Sequence, residues 1–261
     1  MKASYRTLSK SLPLLRVVAV IGVLFFLRPL RAEEQKPKAL IAVASNFTET
    51  AKELSIAFEK ETSGTVEFSF GSTGKQFSQI ENGAPFDAFL SADAARPKQL
   101  KEKGKAVGGI VFTYAVGRLA LWSSSGILSG GGENFLRMGN FKRIAIAKPE
   151  LAPYGAAAKK VLVGMNMWDQ VQPKLVFGDN ISQTLQFVQT GNADFGFVAW
   201  SQVKEMKPQQ GSSWLVTKSL HDPIMQDAIL LRENGVARDF LKFMQSAKGK
   251  QIIQAHGYDL P

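Results

Sequence analysis

Two short polar turns stand out, because each lies between a hydrophobic run and an amphipathic segment, where a strand would pass into a helix. The first is Ala44-Ser45-Asn46-Phe47-Thr48-Glu49, and the second is Phe70-Gly71-Ser72-Thr73-Gly74-Lys75. The first turn of a helix leaves backbone N–H groups unpaired, and the helix dipole places partial positive charge there. Hydroxyl and amide side chains add further donors. Two such turns facing each other predict a binding site for an anion.

Two further turns also follow predicted strands. Pro153-Tyr154-Gly155 opens a helical segment, and Tyr154 is either a surface aromatic residue or a hydroxyl donor into the same cleft. Gly178-Asp179-Asn180-Ile181 opens another, where Asp179 or Asn180 is expected to cap the helix. The backbone N–H of Ile181 is the group that this turn would offer to an anion.

Each candidate also has a plainer structural explanation. Asn46 could serve only as the N-cap of the next helix, a role that contributes about 1 kcal/mol. Thr73 could lie in a turn whose backbone is set by its two flanking glycines. Lys75 is expected to be a solvated helix residue, because Gly71 and Gly74 enclose two residues rather than the four of a phosphate-binding loop.

Other kinds of chemistry find little support in the sequence. The chain contains no cysteine, which excludes disulfides, thiolate metal sites and a cysteine nucleophile. Its two histidines, His221 and His256, are far apart and have no metal-type spacing. The Gly-x-Ser-x-Gly signature of serine hydrolases is absent, and the acidic residues are scattered. We therefore expect neither an enzyme nor a protein with a resident cofactor.

Hydrophobic periodicity predicts the elements that would position these turns. Apolar runs at 39–44, 65–70, 87–92, 118–123, 143–147, 175–177, 194–199, 214–217 and 228–232 are typical of strands. Segments with helical spacing separate most of them, and residues 126–140 read as a Gly- and Ser-rich loop with a short helix. Alternation of this kind predicts an α/β fold whose sheets are mainly parallel and flanked by helices.

The first 32 residues predict an export signal. Basic residues precede an apolar run at 17–27, and a short polar segment ending at Ala32 follows. The apolar run is shorter than the roughly 20 residues that span a bilayer. An uncleaved anchor is the alternative, whereas a lipoprotein would need a cysteine. Cleavage after Ala32 would leave 229 of the 261 residues, with a flexible start at 33–38.

The net charge of +10 is concentrated in this leader. Six of the 32 basic residues and none of the 22 acidic residues lie within 1–32, so the rest carries 26 basic against 22 acidic residues. A surplus of four does not indicate a nucleic-acid surface, and we expect no nucleic-acid partner. A mild positive field would still attract small anions.

The same turns resemble those of the periplasmic molybdate-binding proteins of ABC-type importers. The likeness runs from about Ala39 to Pro261. The segments that carry it are Ala42-Val43-Ala44-Ser45-Asn46-Phe47, Ser69-Phe70-Gly71-Ser72-Thr73-Gly74, Asn82-Gly83-Ala84-Pro85-Phe86-Asp87, Ser91-Ala92-Asp93, Pro149-Glu150, Pro153-Tyr154-Gly155 and His256-Gly257-Tyr258.

This resemblance implies a type II periplasmic-binding fold with two lobes, a hinge and a ligand cleft between the lobes. It divides the chain into a signal peptide at 1–32, a first lobe of 33–115 plus 219–261, and a second lobe at 116–218. It also implies that the oxyanion is held by uncharged groups of Ser45, Asn46, Thr73, Tyr154 and Ile181. Molybdenum would then be present only as bound molybdate.

One departure from the family concerns a tyrosine that some members place at the end of the strand Gly196-Phe197-Val198-Ala199. Ala199 stands there in this chain and offers no donor. Tyr154 would supply the hydroxyl from the neighbouring loop, as the resemblance implies for another branch of the family.

The resemblance therefore implies a periplasmic, monomeric receptor that captures molybdate or tungstate and delivers it to an inner-membrane ABC permease. A receptor for another oxyanion such as sulfate is the nearest alternative. A ferric site would need clustered tyrosine and carboxylate ligands, and only Tyr114, Tyr154 and Tyr258 follow residue 32. An exported enzyme acting on an anionic substrate, and a sensor or adhesion module, remain as alternatives of other classes.

Overall fold

The structure is a computed structural model that describes residues 37–125, 128, 131–204, 206–207 and 210–261. The predicted export signal at 1–32 lies outside the described residues. Across the described part of the chain, no helix has the length and apolar character needed to cross a membrane.

The described chain forms two five-stranded sheets. The strands in chain order are β1 Lys38–Ala44, β2 Thr65–Gly71, β3 Ala88–Leu90, β4 Val111–Gly117, β5 Leu119–Ser123, β6 Ile144–Ala147, β7 Leu175–Gly178, β8 Phe195–Ala199, β9 Ser212–Leu215 and β10 Ile224–Leu230. The first sheet contains β1, β2, β3, β4 and β10, and the second contains β5 to β9.

Helices connect most of these strands, as the hydrophobic periodicity predicts. Their bounds are α1 Thr48–Glu61, α2 Thr73–Glu81, α3 Ala95–Glu102, α4 Gly132–Met138, α5 Pro153–Gly164, α6 Trp168–Val171, α7 Ile181–Gln189, α8 Trp200–Val203, α9 Gly235–Gln245 and α10 Ala247–Ala255. The predicted α/β class is confirmed. The sequence patterns did not indicate β4, α6 or α8.

The sheets are mainly parallel in strand direction, as expected, but each is mixed because one of its five strands runs the other way. In the first sheet β1 pairs in parallel with β2 and β3, whereas β10 is antiparallel to β3 and β4. In the second, β6 is parallel to β7 and β8, whereas β5 is antiparallel to β8 and β9.

The two reversed strands, β5 and β10, share a cause. Each is entered directly from the other sheet, β5 after β4 and β10 after β9. A helical crossover returns the chain to the amino end of the next parallel strand. A direct connection has no such return, so the chain enters from the opposite end and runs the other way.

A buried apolar core packs on each sheet. On the first sheet it includes residues of β1, α1, α9 and α10, and the rings of Phe58 and Phe240 meet edge to face at 5.5 Å. On the second sheet it includes residues of β6, β8 and α5, and Phe195 meets Phe135 and Phe141 in the same manner. These cores hold the strands whose carboxyl ends carry the candidate turns.

Two connections join the sheets, one at Gly117–Leu119 and the other between Leu215 and Ile224. The last strand, β10, thus returns to the first sheet. The predicted lobe boundaries at 115/116 and 218/219, and a hinge between the lobes, stay predictions.

Candidate functional site

The first turn forms a single 3₁₀ turn over Ser45–Phe47, after which α1 begins at Thr48. Asn46 is therefore not the N-cap of α1, because Phe47 holds that position and no side chain caps the helix. The Asn46 side chain is buried, and its Nδ2 donates to Gln226 Oε1 at 2.9 Å and to Tyr258 Oη at 3.1 Å. As the second residue of the turn, Asn46 has a backbone N–H with no acceptor inside it.

The second turn leads into α2, whose first residue is Thr73 and whose N-cap is Ser72. Ser72 Oγ accepts from the Lys75 N–H at 3.3 Å, and the Gly74 N–H donates to the Leu151 carbonyl at 2.8 Å. Thr73 is 1 % exposed, and its Oγ1 accepts from the Ala92 N–H at 3.2 Å. Because the Thr73 oxygen acts as an acceptor there, its own proton stays available for another partner.

Asn180 is the N-cap of α7, which is one of the two alternatives predicted from the sequence. Its Oδ1 accepts from the N–H groups of Ser182 and Gln183, both at 3.0 Å, but not from that of Ile181. Ile181 is the first residue of α7 and is buried, so its N–H has no acceptor within the helix. Ser45 Oγ also donates to Asn180 Oδ1 at 3.3 Å, which links this turn to the first one.

Tyr154 is the second residue of α5 and is 1 % exposed, so it is not a surface aromatic residue. Its hydroxyl accepts a hydrogen bond from Gln226 Nε2 at 3.1 Å. Burial and the nearby Tyr258 raise the pKa of Tyr154 well above its ordinary value, so the hydroxyl is neutral and keeps its proton at physiological pH.

The structure brings the candidates together at the carboxyl ends of the strands. Ala44, Ala92, Tyr154 and Ile181 belong to one continuous buried cluster, and Ala92 carries the backbone N–H bonded to Thr73. Carboxyl ends of parallel strands are where α/β proteins usually bind ligands. Ala199 lies at the end of β8 in the same cluster.

Sequence reasoning missed Gln226 as a part of this site, although it contacts two of the candidates. Gln226 lies in β10, is fully buried, and also accepts from Tyr114 Oη at 3.1 Å. The signal that could have found it is one uncharged polar residue in the strand Ile224–Leu230. The contact of Tyr114 with Gln226 was not foreseen, because β4, which carries Tyr114, was not predicted.

Tyr114, Tyr154 and Tyr258 all contact Gln226 or Asn46. Burial is the largest cause that raises the pKa of each hydroxyl. The cluster therefore consists of neutral hydroxyl and amide groups.

Lys75 is an exposed helix residue, as expected from the sequence, and it also forms an ion pair that the sequence did not indicate. Its Nζ lies 2.6 Å from Asp179 Oδ2, and Lys148 Nζ lies 2.6 Å from Asp179 Oδ1. The hydrogen bonds from Lys148 and Lys75 lower the pKa of Asp179 to about 2. Both ammonium groups are thus paired beside the site, and Lys75 of α2 is joined to the turn before α7.

In the described part of the chain, the hydroxyls of Thr73 and Tyr154 and the N–H groups of Asn46 and Ile181 offer an anion uncharged donors that no protein acceptor occupies. The Ser45 hydroxyl donates to Asn180 Oδ1 and would have to rotate away from it to donate to an anion. Among the described residues, no group of three or more His, Cys, Asp or Glu side chains could hold a metal ion. Donors without acceptors suit a fully ionised oxyanion, because a protonated anion would need an acceptor for its proton.

Comparison with known proteins places this geometry in context. Residues 39–259 match the sequence family described as bacterial extracellular solute-binding protein. The chain is 45% identical over 224 residues to the molybdate-binding protein ModA of Rhodobacter capsulatus, covering 85% of this chain and 88% of that protein. It is 43% identical over 255 residues to ModA of Azotobacter vinelandii, covering 96% and 99%. The solved structure of the Azotobacter vinelandii periplasmic molybdate-binding protein superposes with a TM-score of 0.79 at 34% identity, covering 85% of this chain and 99% of that one.

Proposed function

Because the chain belongs to the bacterial extracellular solute-binding proteins, we propose that it is a receptor for molybdate, and also for tungstate, in the periplasm. It would deliver the anion to a membrane-bound ABC importer. The observation that carries the proposal is the 43–45% identity to two molybdate-binding proteins over most of the chain. The family consists of solute-binding receptors rather than enzymes, and we propose no catalytic activity and no cofactor.

The proposed ligand groups are Ser45, Asn46, Thr73, Tyr154 and Ile181. They support the proposal because they come from both sheets and carry no charge. Five charge-assisted hydrogen bonds of about 1.5–3 kcal/mol each give roughly 8–15 kcal/mol before the cost of association, which is about 4 kcal/mol or more. A Kd near 1 μM needs about 8 kcal/mol. Binding of useful strength therefore does not require a lysine or arginine in the site.

The nature of the site separates this proposal from its alternatives. Ferric ion binds tyrosine as phenolate, and the raised pKa values of Tyr114, Tyr154 and Tyr258 oppose that form. Hydrogen phosphate carries a proton that a set of donors cannot accept. Sulfate shares the charge and shape of molybdate but is smaller, so discrimination against it depends on the size of the cavity.

Calorimetric titration of the purified protein with molybdate, tungstate, sulfate and phosphate tests the function. We expect molybdate and tungstate to bind with a Kd below about 1 μM, and sulfate and phosphate to bind at least a hundredfold more weakly. Failure of both large oxyanions to bind would refute the proposal. A preference for sulfate would support the alternative of a receptor for another oxyanion.

The periplasmic location, the permease partner and the monomeric state belong to the same proposal. Size-exclusion chromatography with and without molybdate should give the mass of one chain in both cases. Fractionation of cells that express the full chain should place it in the periplasm, with the leader removed.

A further inference from the structure

Gln226 is a fully buried polar residue in the otherwise largely apolar strand β10, next to a shift in register between Gln226 and Asp227. Its carboxamide contacts Asn46, Tyr114 and Tyr154. Two of these three residues belong to the proposed ligand set. The directions of the hydrogen bonds around Gln226 therefore decide which protons the site can donate to an anion.

The direction of each hydrogen bond can be assigned by starting from the backbone carbonyl of Asn46. Tyr258 Oη lies 2.7 Å from that oxygen and 2.9 Å from Ser201 Oγ. A carbonyl can only accept, and two oxygens this close need a proton between them, so Tyr258 donates to the carbonyl. The Tyr258 oxygen must then accept from the Asn46 side chain, which presents Nδ2 to it at 3.1 Å.

The remaining Nδ2 hydrogen of Asn46 points to Gln226, 2.9 Å away, which must present its Oε1. This orients the carboxamide, so that Gln226 Nε2 faces Tyr154 Oη at 3.1 Å as a donor. The Tyr154 oxygen accepts, and its proton is therefore directed away from Gln226. Both amide hydrogens of Asn46 are committed in this relay, which leaves its backbone N–H for a ligand.

We propose that Gln226 is a positioning residue for anion capture: by donating to the Tyr154 hydroxyl, it turns the proton of that hydroxyl toward the bound oxyanion. This inference rests on the proposed function and adds the residue that makes the Tyr154 hydroxyl a donor to the ligand. Gln226 itself does not touch the anion.

Gly117, at the end of β4, supports this role. A Cβ atom at residue 117 would lie 2.2 Å from Tyr154 Oη and 2.6 Å from Gln226 Nε2, closer than atoms can approach. A side chain there would push the hydroxyl and the carboxamide apart. The contact between Gln226 and Tyr154 thus depends on a residue without a side chain between the two sheets.

A double-mutant cycle between Gln226→Met and Tyr154→Phe tests the proposal. Methionine keeps the approximate shape and removes the donor without adding charge. Each single variant should weaken molybdate binding about tenfold, the value of one hydrogen bond to a charged group. The double variant should lose little more than either single variant, because both changes remove the same interaction. If the fold-losses of affinity in the two single variants multiply in the double variant, the proposal is overturned.

Gln226→Glu gives a second readout, which a purely structural role would not produce. An ionised carboxylate only accepts, so it would draw the Tyr154 proton inward and repel the anion. A protonated carboxyl has one acceptor and one O–H donor, like the carboxamide, and burial favours this form. Between pH 5.5 and 9, the affinity of this variant should fall at least tenfold as the pH rises, while that of the wild type stays within about twofold.

Two controls separate the possible failures. Tyr114→Phe removes another hydroxyl bonded to Gln226 Oε1 but leaves the relay to Tyr154, so it should lower the melting temperature and keep the affinity within about twofold. Melting curves without ligand exclude unfolding as the cause of lost binding. A wild-type protein that binds neither molybdate nor tungstate would overturn both proposals. Wild-type binding with independent losses at Gln226 and Tyr154 would overturn this inference alone.

Discussion

At the scale of single residues, the useful property of the site is the direction of its hydroxyl protons. Thr73 Oγ1 accepts from the Ala92 N–H, and Tyr154 Oη accepts from Gln226. A hydroxyl whose oxygen already accepts from the protein has its proton left for a ligand. The bonds that hold these side chains in place thereby also prepare them to donate.

Thr73→Val tests whether the Thr73 hydroxyl donates to the anion. The change keeps the shape and removes the hydroxyl, so molybdate binding should weaken about tenfold or more. It also leaves the buried Ala92 N–H without its acceptor, so the free energy of unfolding should fall by about 1–3 kcal/mol. Calorimetric titration and urea unfolding measure the two effects.

The neighbouring residue offers a matched control. Ser72→Ala removes the N-cap of α2 and should lower stability by about 1 kcal/mol with little change in affinity. Thr73→Ser retains the hydroxyl and should bind nearly as the wild type does. Equal affinities of Thr73→Val and the wild type would remove Thr73 from the site.

At the scale of elements, helix N-termini make the site, and the caps decide which N–H groups remain open. In α7, Asn180 satisfies the N–H groups of Ser182 and Gln183 and leaves that of Ile181. In α2, Ser72 satisfies the N–H of Lys75, while the Gly74 N–H reaches across to Leu151. The local sequence therefore selects which backbone donors at these helix N-termini stay open.

Asn180→Ala should loosen the first turn of α7. We expect a loss of about 1 kcal/mol in stability and a threefold to tenfold weaker affinity for molybdate, because the Ile181 N–H loses its alignment and Ser45 loses its partner. Calorimetric titration gives the affinity, and thermal unfolding gives the stability.

Asn234→Ala is the matched control for this change. Asn234 caps α9 with the same chemistry, accepting from the Ala237 N–H at 3.1 Å, and lies beside Lys38 at the amino end of β1. The Asn234→Ala variant should lose a similar amount of stability and keep its affinity for molybdate. A loss of affinity in both variants would indicate a general effect of stability rather than a local one.

At the scale of the whole molecule, polar contacts join the two sheets around the site. Asp179 follows β7 of the second sheet and pairs with Lys75 of α2, which packs on the first. Arg96 Nη2 donates to the Glu150 carbonyl at 2.8 Å across the same boundary. Since Lys75 and Asp179 are partly exposed, salt screens their ion pair, and protonation of Asp179 removes it.

Asp179 gives this contact a defined pH dependence. Its pKa is about 2 in the folded protein and about 3.9 in an unfolded chain, so its contribution to stability is present above about pH 4 and is lost as the pH falls through 2. The difference in unfolding free energy between the wild type and Asp179→Asn should be constant from pH 5 to 8. It should shrink between pH 4 and 2, as measured by urea unfolding.

The control for this series is Asp169→Asn, which removes an exposed carboxylate of α6 with no ion pair to another described residue. The difference in unfolding free energy between Asp169→Asn and the wild type should stay small over the same pH range. A difference for Asp179→Asn that persists unchanged at pH 2 would contradict the assigned role of the two lysines. High salt should also reduce that difference, because the ion pairs are exposed.

Much of the fold was predictable because strand and helix periodicity is a local property. Apolar runs and capping residues placed most elements within a few residues, and Asn180 emerged as one of two possible caps. The direction of β5 and β10 was not predictable, since it depends on where the chain passes from one sheet to the other. The strand β4 was not predicted, so the contacts of Tyr114 and Gly117 with Gln226 and Tyr154 were not foreseen.

The sequence by itself determined which turns carry donors, because strand, cap and helix lie within a few residues of one another. Only the tertiary structure decided what those donors do. Asn46, whose plainer explanation from the sequence was a helix cap, lies instead at the centre of a hydrogen-bonded relay, since its partners Gln226 and Tyr258 lie 180 and 212 residues away in the chain. The direction of each proton depends on such distant partners, which meet only when β10 and the C-terminus pack against the first turn.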